Sequence, residues 1–418
     1  MRKRWPRPCT RKKAKKKKRV PKGAKVIHSN SVISGNRLYG LVSVAAALVI
    51  ATLAHTSQVR AETGVTSDAI VFGQSACFTG PNRNLGLYYR AGILSAFEEL
   101  NRAGGINGRT LRLLSLDDGY EPEQAAANAE RFAAENDVFA VIGGVGTPTA
   151  KRIAPLLRSA DIPFVGPFTG ADFLRNFDRF PNVVNLRAAY LDEVVTMVDY
   201  IVNDLGKNRF GVIYQDDSFG RSVLKNLQIA LEAHDLPILA KTAHSRNTHA
   251  VHAGLFMISK ADLDAILIVG SYAANSEIIN LSHSLGHDYI VANLSFVLSQ
   301  ELKKMVENRS ERILVTEVIP DPNSNSSRIA RRFRNALRPE YGQAESVATL
   351  VNEVAFEGYI LGRYVIDVLE RMGGELTREH FLSVALSPER VMLDDWSLEF
   401  PPGTNAGSTY IRLTNLGE

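Results

Sequence analysis

Apolar residues recur along this chain in two alternating patterns. Short runs in which most positions are apolar, such as Ala69–Ala76 and Ala265–Val269, predict strands. Between such runs apolar residues return at every third or fourth position, as in 85–103, and this spacing predicts amphipathic helices. The 85–103 helix is expected to end at Gly104 and Gly105, because glycine readily takes the left-handed conformation that follows a helix.

The same reading extends over the rest of residues 62–418. Further strands are predicted over Thr110–Leu116, Phe139–Gly143, Pro163–Val165, Phe210–Tyr214, Ile238–Ala243 and Tyr289–Ala292. Further helices are predicted over Pro122–Glu135, Thr147–Ser159, Leu191–Leu205, Ser218–His234, His249–Ser259, Ser276–Leu285 and Ala348–Met372. Two successive arrays of strand and helix predict an α/β protein with two lobes, each a parallel sheet covered by helices on both faces.

Charge is distributed unevenly between the N-terminal segment and the remainder. Residues 1–61 hold 16 Lys and Arg and no Asp or Glu, although the whole chain carries a net charge of +5. The remaining 33 basic and 44 acidic residues give 62–418 a net charge of −11. A body of that charge repels phosphate, so we expect no nucleic-acid partner.

The first 61 residues are organised like a secretory signal. Basic residues are followed by an apolar run of 13 residues, Leu41–Leu53, and then by Val59-Arg60-Ala61. This order predicts cleavage after Ala61 and export to the periplasm. The run is shorter than the ~20 residues that span a bilayer, although an uncleaved anchor and a start codon near Val32 stay open as alternatives.

Cysteine content is compatible with export. Cleavage after Ala61 removes Cys9 and leaves Cys77 alone, so no disulfide forms within the mature monomer. A chain of this size does not need a disulfide in order to fold.

One loop has the composition of an anion site. Gly143-Gly144-Val145-Gly146-Thr147-Pro148-Thr149 follows a predicted strand and opens a predicted helix. Backbone N–H groups at such a helix start attract anions, and the two threonine hydroxyls add contacts. The alternative for Thr147 is a plain helix N-cap. Because the third glycine of a dinucleotide fingerprint is missing, we expect no nucleotide cofactor.

Candidate catalytic and metal-binding groups are weak. The histidine pairs at 249 and 252 and at 283 and 287 have no adjacent acidic or cysteine partner, so surface roles are favoured and no metal is expected. The pairs Asp117-Asp118 and Asp216-Asp217 follow predicted strands, where loop and cap roles are favoured over acid–base chemistry. Without a recognisable nucleophile or phosphate motif, the sequence does not predict an enzyme.

Several segments resemble the type I periplasmic solute-binding proteins, in particular the leucine/isoleucine/valine-binding branch. The likeness is carried by Ala91-Gly92-Ile93, Phe97–Arg109, Asp117–Ala126, Val141-Ile142-Gly143, Phe164–Pro167 and Glu357-Gly358-Tyr359. It extends across the whole of the predicted mature chain and is most specific in its first 100 residues.

This resemblance implies a two-lobed clamp whose chain crosses between the lobes three times, near Arg187, Thr316 and Thr409. It implies an N-terminal lobe of residues 62–187 plus 318–408 and a C-terminal lobe of 188–317 plus 409–418. Members of this family deliver a small solute to an inner-membrane permease driven by an ATPase. We therefore expect a monomeric receptor that closes around an amino acid or another carboxylate.

The resemblance also implies which residues contact the solute. Thr147 matches the hydroxyl that binds a ligand carboxylate, and Val145 and Gly146 flank it. Phe168 and Gly170 match contacts to an amino-acid backbone, but glycine replaces the hydroxyl expected at 170 and Thr169 is adjacent. Phe219 matches an aromatic cleft position. Either Ser271 or Tyr272 matches a second aromatic cleft position, and Leu85 replaces an aromatic residue expected in the first loop.

One departure bears on the ligand. Amino-acid binders of this family carry a glutamate for the ligand ammonium around Leu294-Ser295, and this chain has none there. A buried ammonium without a carboxylate partner costs several kcal/mol. We therefore expect a small carboxylate or polar solute without an α-ammonium. The family disulfide is also missing, since its positions hold Tyr120 and Gly146.

Two other functions compete with transport. A periplasmic ligand sensor for a membrane kinase or cyclase uses the same clamp, and an encoded permease and ATPase nearby, rather than a kinase, would discriminate in favour of transport. An exported enzyme on the same fold would convert its ligand, whereas a receptor returns it unchanged.

Overall fold

The structure, a computed structural model, describes residues 62–135, 137–307 and 312–417. The predicted signal segment, its cleavage site and Cys9 lie outside these residues. Within the described part, the chain alternates strand and helix twice, as its apolar pattern predicts. Residues 61–418 belong to one compact unit.

The first lobe begins with three strand–helix steps and two short strands. Its elements are β1 Ala69–Ala76, α1 Arg83–Arg102, β2 Thr110–Asp117, α2 Pro122–Glu135, β3 Ala140–Ile142, α3 Thr147–Ser159, β4 Phe164–Val165 and β5 Val183–Val184.

The second lobe repeats this alternation. Its elements are α4 Tyr190–Asp199, β6 Phe210–Gln215, α5 Ser218–Glu232, β7 Ile238–His244, α6 His252–Ile258, β8 Ala265–Val269, α7 Tyr272–Ser284, β9 Ile290–Asn293, α8 Ser299–Met305 and β10 Ile313–Glu317. A π-helical turn, Tyr200–Asp204, extends α4.

Helices and a hairpin complete the chain. These elements are α9 Arg328–Ala336, α10 Val347–Leu350, α11 Glu353–Met372, α12 Arg378–Ala385, β11 Val391–Leu393, β12 Trp396–Leu398 and β13 Arg412–Asn415.

The strands form two main sheets. The first has the order β2-β1-β3-β4-β5 and is parallel throughout. The second has the order β13-β10-β9-β8-β6-β7. Its strand β8 reads AILIV and is buried at every position, as expected for a central parallel strand covered on both faces.

One edge strand refines the predicted parallel sheets, and one predicted helix is wrong. The second sheet is not purely parallel, because β13 pairs antiparallel with β10, with Val315 opposite Thr414. The helix predicted over Ala348–Met372 is broken into α10 and α11 at Asn352. Asn352 takes an extended conformation and its side chain accepts a hydrogen bond from Ala355 N at 2.9 Å, so it caps a new helix instead of continuing the old one.

The two longest helices of the first lobe, α1 and α11, cross at a point where glycines replace larger residues. A Cβ at Gly92 would lie 1.9 Å from the Ala355 carbonyl oxygen, and one at Gly358 would lie 2.2 Å from the Tyr89 carbonyl oxygen. The glycines therefore allow the two backbones to approach closely and bury Ile93 and Leu361 beside them.

Three connections carry the chain between the two sheets. They run from β5 to α4, from β10 to α9, and from β12 to β13. The exact lobe boundaries given by the resemblance stay predictions.

Candidate ligand-binding cleft

Loops from both sheets meet where parallel strands end. In the first lobe, Thr147 begins the helix after β3 and Thr169 lies in the loop after β4. In the second lobe, Phe219 lies in the first turn of the helix after β6 and Phe296 lies in the short turn after β9. The carboxyl ends of parallel strands are the edge at which open α/β sheets bind ligands. The sequence thus assembles the cleft from residues far apart in the chain.

The glycine-rich loop makes a sharp turn into α3. Gly146 is the N-cap residue, with φ of 100°, and its Cβ would lie 2.1 Å from the Tyr120 ring. The Thr149 hydroxyl bonds back to the carbonyl oxygens of Val145 and Gly146. Thr147 is the first helical residue rather than the N-cap, so the plain cap role considered for it is wrong.

Three hydroxyl groups gather beside this turn. Thr147 Oγ1 and Thr169 Oγ1 are 2.7 Å apart and share one hydrogen bond. Burial raises the pKa of Tyr190 above its ordinary value, although Arg187 and the two threonine hydroxyls act in the opposite direction. The Tyr190 hydroxyl thus lies beside both threonine hydroxyls, but it forms no hydrogen bond of normal geometry with a described residue. It is thus a donor available to an acceptor at this cluster, which we name the hydroxyl cluster (Thr147, Thr169, Tyr190).

Tyr190 explains the glycine at position 170. A Cβ at Gly170 would lie 2.7 Å from Tyr190 Cδ1 and 2.8 Å from Tyr190 N. A residue with a side chain would therefore collide with Tyr190. The hydroxyl that the resemblance expects at 170 is absent, and Tyr190 brings one to Thr147 and Thr169 instead.

A buried arginine lies next to the hydroxyl cluster. Arg187 is 2% exposed, and its guanidinium carbon lies 4.3 Å from the centroid of the Phe168 ring. Its Nη2 donates to Ser295 Oγ, which joins the two lobes, whereas Nη1 and Nε make no hydrogen bond. A buried guanidinium with unused N–H groups favours an anionic partner.

Two buried carboxylates compensate this charge. Glu357 Oε1 lies 3.5 Å from Arg187 Nε, and burial raises the pKa of Glu357 to about 7 in spite of the arginine. Glu193 accepts three hydrogen bonds, from Ser295 N at 2.9 Å, Ser295 Oγ at 3.0 Å and Thr316 Oγ1 at 2.6 Å. Burial lowers the pKa of Arg187, but Glu357 and Glu193 more than offset this effect, so the pKa lies above its usual value.

Aromatic rings from both lobes fill the space above the hydroxyl cluster. Phe296 lies at the centre, with its ring centroid 5.9 Å from that of Tyr120, 5.6 Å from Phe168 and 4.8 Å from Phe219. Tyr190 packs on Phe219 at 5.2 Å. The cleft thus has an apolar side formed by these rings and a polar side formed by the hydroxyl cluster.

Polar contacts join the lobes at one rim of the cleft. Asn82 of the first lobe accepts from Ser271 Oγ and donates to Asn247 Oδ1 at 2.8 Å. Tyr272 donates through its hydroxyl to the Pro81 carbonyl oxygen at 2.7 Å. These bonds form only when the two lobes are in contact.

Arg246 makes a second connection between the lobes. Its Nη2 lies 2.6 Å from Glu121 Oε2 in the first lobe, and its Nη1 lies 3.1 Å from Asp217 Oδ2 in the second. Glu121 Oε1 also accepts from Asn247 Nδ2 at 2.7 Å, so Arg246 belongs to the same rim as Asn82, and side chains outside the hydroxyl cluster close this rim.

Comparison with known proteins identifies the fold and the family. A sequence model described as a periplasmic binding protein matches residues 69–387. The chain belongs to the periplasmic binding protein family. Its two parallel-sheet lobes are the type I arrangement of that family, which confirms the fold expected from the sequence.

Individual relatives agree with this assignment. A Pseudomonas aeruginosa protein named "Amino acid binding protein" is 30% identical over 175 residues, or 42% of this chain and 46% of that protein. The chain thus spans about half the length of this curated relative. A possible leucine/isoleucine/valine-binding protein from Rhodopirellula baltica superposes with a TM-score of 0.78 and 29% identity, covering 86% of this chain and 96% of that one. A substrate-binding periplasmic protein from Ralstonia solanacearum gives 0.76 and 26%, covering 82% and 97%.

In this periplasmic binding protein, the residues proposed from sequence fall into two groups. One group surrounds the hydroxyl cluster and the rings above it: Val145, Gly146, Thr147, Phe168, Thr169, Gly170 and Phe219. The other group lies at the rim, where Ser271 and Tyr272 contact Asn82 and Pro81, and where Leu85 is buried in the first turn of α1.

Sequence reasoning missed the residues that give the cleft its charge and shape. Arg187 was noted only as a crossing point, and Tyr190, Phe296, Glu193 and Glu357 were not proposed as site residues. Glu193 is distant from Ser295 in the sequence and contacts it only in the folded protein. Positions 294 and 295 alone therefore do not reveal this carboxylate. The signal that the sequence offered was the series Arg187, Tyr190 and Glu193, which follows the short strand β5.

The acidic pairs after β2 and β6 brace loops. Asp117 accepts from Phe78 N, Thr79 N and Gly119 N, and Asp118 accepts from Tyr120 N and Ser75 Oγ. Asp217 caps α5 by accepting from Phe219 N. These contacts match the loop and cap roles expected from the sequence.

In the described ranges, no group of three or more His, Cys, Asp or Glu residues is arranged to hold a metal ion. The described helices also include none with the length and apolarity needed to cross a bilayer. Cys77 is buried, and this burial raises the pKa of its thiol far above the ordinary value.

Proposed function

We propose that this protein is the solute receptor of an ABC importer, and that its two lobes close on a small carboxylate that lacks an α-ammonium. The hydroxyl cluster beside Arg187 carries this proposal. A carboxylate placed there accepts hydrogen bonds from the cluster and from the N–H groups at the start of α3, with a buried positive charge nearby.

The state of the neighbouring carboxylates argues against an ammonium. Of the carboxylates that approach Arg187, Glu193 already accepts three hydrogen bonds and Glu357 is paired with the guanidinium. Glu193 therefore has most of its acceptor positions occupied, and Glu357 would have to share its charge between the guanidinium and a ligand ammonium. Leaving a charge buried and unpaired costs several kcal/mol, which is enough to abolish useful affinity.

The proposed site includes the residues around the hydroxyl cluster and leaves the rim to lobe closure. Val145, Gly146 and Thr147 provide the helix start, and Phe168, Thr169, Gly170 and Phe219 provide the wall. Export of the mature chain from residue 62 to the periplasm, and delivery to an inner-membrane permease, complete the proposal. No enzymatic step is assigned to the site.

A matched panel of ligands tests the charge argument. Leucine, isoleucine and valine are compared by thermal shift with 4-methylpentanoate, 3-methylpentanoate and 3-methylbutanoate, which are the same acids without the amine, together with acetate, propionate and butyrate. A ligand that binds only the native state raises the melting temperature by mass action.

We expect stabilisation by amine-free acids and none by their amino-acid counterparts. Stabilisation by the amino acids alone would show that Glu193 or Glu357 accepts the ammonium and would overturn the proposed ligand class. The unchanged recovery of the acid after incubation separates a receptor from an enzyme.

A further inference from the structure

The centre of the apolar part of the cleft is occupied by a side chain of this protein. Phe168 of the first lobe and Phe219 of the second are the two rings expected from sequence to face the ligand. Phe296 lies in contact with both, at centroid separations of 5.6 and 4.8 Å. Rings at such separations touch each other, so no further group fits between them.

The ring is held in this place by its backbone. Ser295 is bonded through N and Oγ to Glu193, and its Oγ also accepts from Arg187. Ser295–Val297 form a short 3₁₀ turn in which Phe296 and Val297 are buried, and Leu298, which follows it, has φ of 60°. A bulky residue rarely takes this left-handed conformation, which persists only where the surroundings impose it. Phe296 is therefore a fixed wall of the cleft.

The wall begins directly above the hydroxyl cluster. Thr169 follows Phe168 in the chain, and Tyr190 of the cluster packs on Phe219 at 5.2 Å. The chain of a ligand whose carboxylate rests on the hydroxyls thus meets the three phenylalanine rings within a few bonds. The Phe296 ring, between Phe168 and Phe219, limits the length of the ligand chain.

We propose that Phe296 determines ligand specificity by limiting the apolar body to a short chain, so that the solute is a carboxylate of about acetate to butyrate size. This inference rests on the proposed function for the head group, but the length limit applies to any acid bound at the hydroxyl cluster. Removal of the ring opens the space between Phe168 and Phe219 to longer chains.

The test measures affinity against chain length by calorimetry. Two series are used, the straight-chain acids from acetate to hexanoate and the amino acids from glycine through norvaline to norleucine. The proteins are the wild type, Phe296→Ala, and Phe296→Leu, which keeps an apolar side chain if the alanine variant fails to fold. Val297→Ala is the matched control, because Val297 is buried in the same turn and makes none of the ring contacts.

In Phe296→Ala we expect affinity to rise about fourfold with each added methylene, the gain from burying one such group. In the wild type and in Val297→Ala, affinity should stop rising by butyrate and fall for pentanoate and hexanoate. Phe296→Leu should shift the limit by one or two carbons.

The inference is overturned if the wild type binds hexanoate more tightly than butyrate, or if Phe296→Ala has the wild-type length profile. If only the amino acids bind, the proposed head group is wrong. The length limit is then tested by the change in affinity from glycine through norvaline to norleucine. Failure of the wild type to bind any member of either series would contradict the proposed function itself, and the inference with it.

Discussion

At the scale of single residues, the cleft depends on hydroxyls and charges that are buried without full compensation. Thr147 and Thr169 share one hydrogen bond, and Tyr190 has none to the described residues. Arg187 Nη1 likewise has no acceptor among them, and Arg187 Nε has only the ion pair with Glu357. Buried polar groups are normally satisfied, so such a concentration indicates a place where a ligand supplies the missing partner.

Replacement of Thr147 by Ala should weaken binding of the acid that raises the wild-type melting temperature most. The loss of one hydroxyl partner of a buried anion is expected to cost ~1–3 kcal/mol of binding free energy. Calorimetry measures the change, and Thr147→Ser, which keeps the hydroxyl, is the control. Unchanged affinity in the alanine variant would remove Thr147 from the site.

Asp118 predicts a dependence of stability on pH. Burial raises the pKa of Asp118 to about 7 from its usual 3.8, so the folded state holds a proton that the unfolded state has lost. The protonated Asp118 therefore contributes to the free energy of unfolding below about pH 4, and this contribution is lost as the pH rises to 7. Relative to the wild type, Asp118→Asn should gain unfolding free energy across this window, by at most roughly 4 kcal/mol.

Its neighbour supplies a control of opposite sign. Burial alone would raise the pKa of Asp117, but hydrogen bonds from Thr79, Phe78 and Gly119 lower it below 3.8. Asp117→Asn should therefore lose stability relative to the wild type as pH rises towards 3.8, and the difference should stay constant at higher pH. Urea unfolding between pH 2 and 8 measures both variants, and parallel curves would contradict the assignment.

At the scale of elements, the first lobe depends on the close crossing of α1 and α11. Neither helix pattern reveals that the crossing uses Gly92 and Gly358, since the two residues are distant in sequence. The break at Asn352, which the pattern missed, sets where α11 begins and therefore which residues reach that crossing.

Gly92→Ala should destabilise the protein. The added methyl group would lie 1.9 Å from the Ala355 carbonyl oxygen and 2.5 Å from Tyr359 N, both in the backbone of α11. Overpacking of this kind typically costs about 1–3 kcal/mol of unfolding free energy. Chemical denaturation measures the loss, and Gly374→Ala, where the added Cβ would meet nothing within 4 Å, should change little. Equal effects of the two substitutions would contradict the crossing.

At the scale of the whole molecule, closure is stabilised by contacts that lie away from the hydroxyl cluster. Asn82 joins Ser271 and Asn247 across one rim, and at the same rim Glu121 joins Asn247 and Arg246. These bonds stabilise the closed state, which is the state to which a ligand binds more tightly. They therefore increase the apparent affinity for the ligand.

Asn82→Ala should therefore weaken binding without removing a group from the hydroxyl cluster. The loss of two hydrogen bonds between the lobes, roughly 1–2 kcal/mol, corresponds to about tenfold in affinity. Small-angle scattering should show a larger radius of gyration for the variant at a given ligand concentration.

Asn101→Ala is the matched control, since Asn101 makes two hydrogen bonds to Leu111 within the first lobe. It should lower stability and leave affinity unchanged. If both variants lose affinity equally, the rim contacts do not control closure.

The sequence by itself determined the local elements and much of the anion-binding turn. Strand β1 and helices α2 and α3 have the predicted bounds, because burial on both faces of a strand or on one stripe of a helix leaves a periodic trace in the residues themselves. The turn at Gly146-Thr147 is equally local, since its function depends on backbone direction and on one adjacent hydroxyl.

Only the tertiary structure decided which distant side chains meet there. Glu193 reaches Ser295 from a different helix, Tyr190 occupies the space that Gly170 leaves, and Phe296 enters between rings of both lobes. Such contacts depend on how two sheets pack and how the lobes close. They leave no periodic trace along the chain, so the charge and depth of the cleft became visible only once the lobes were in place.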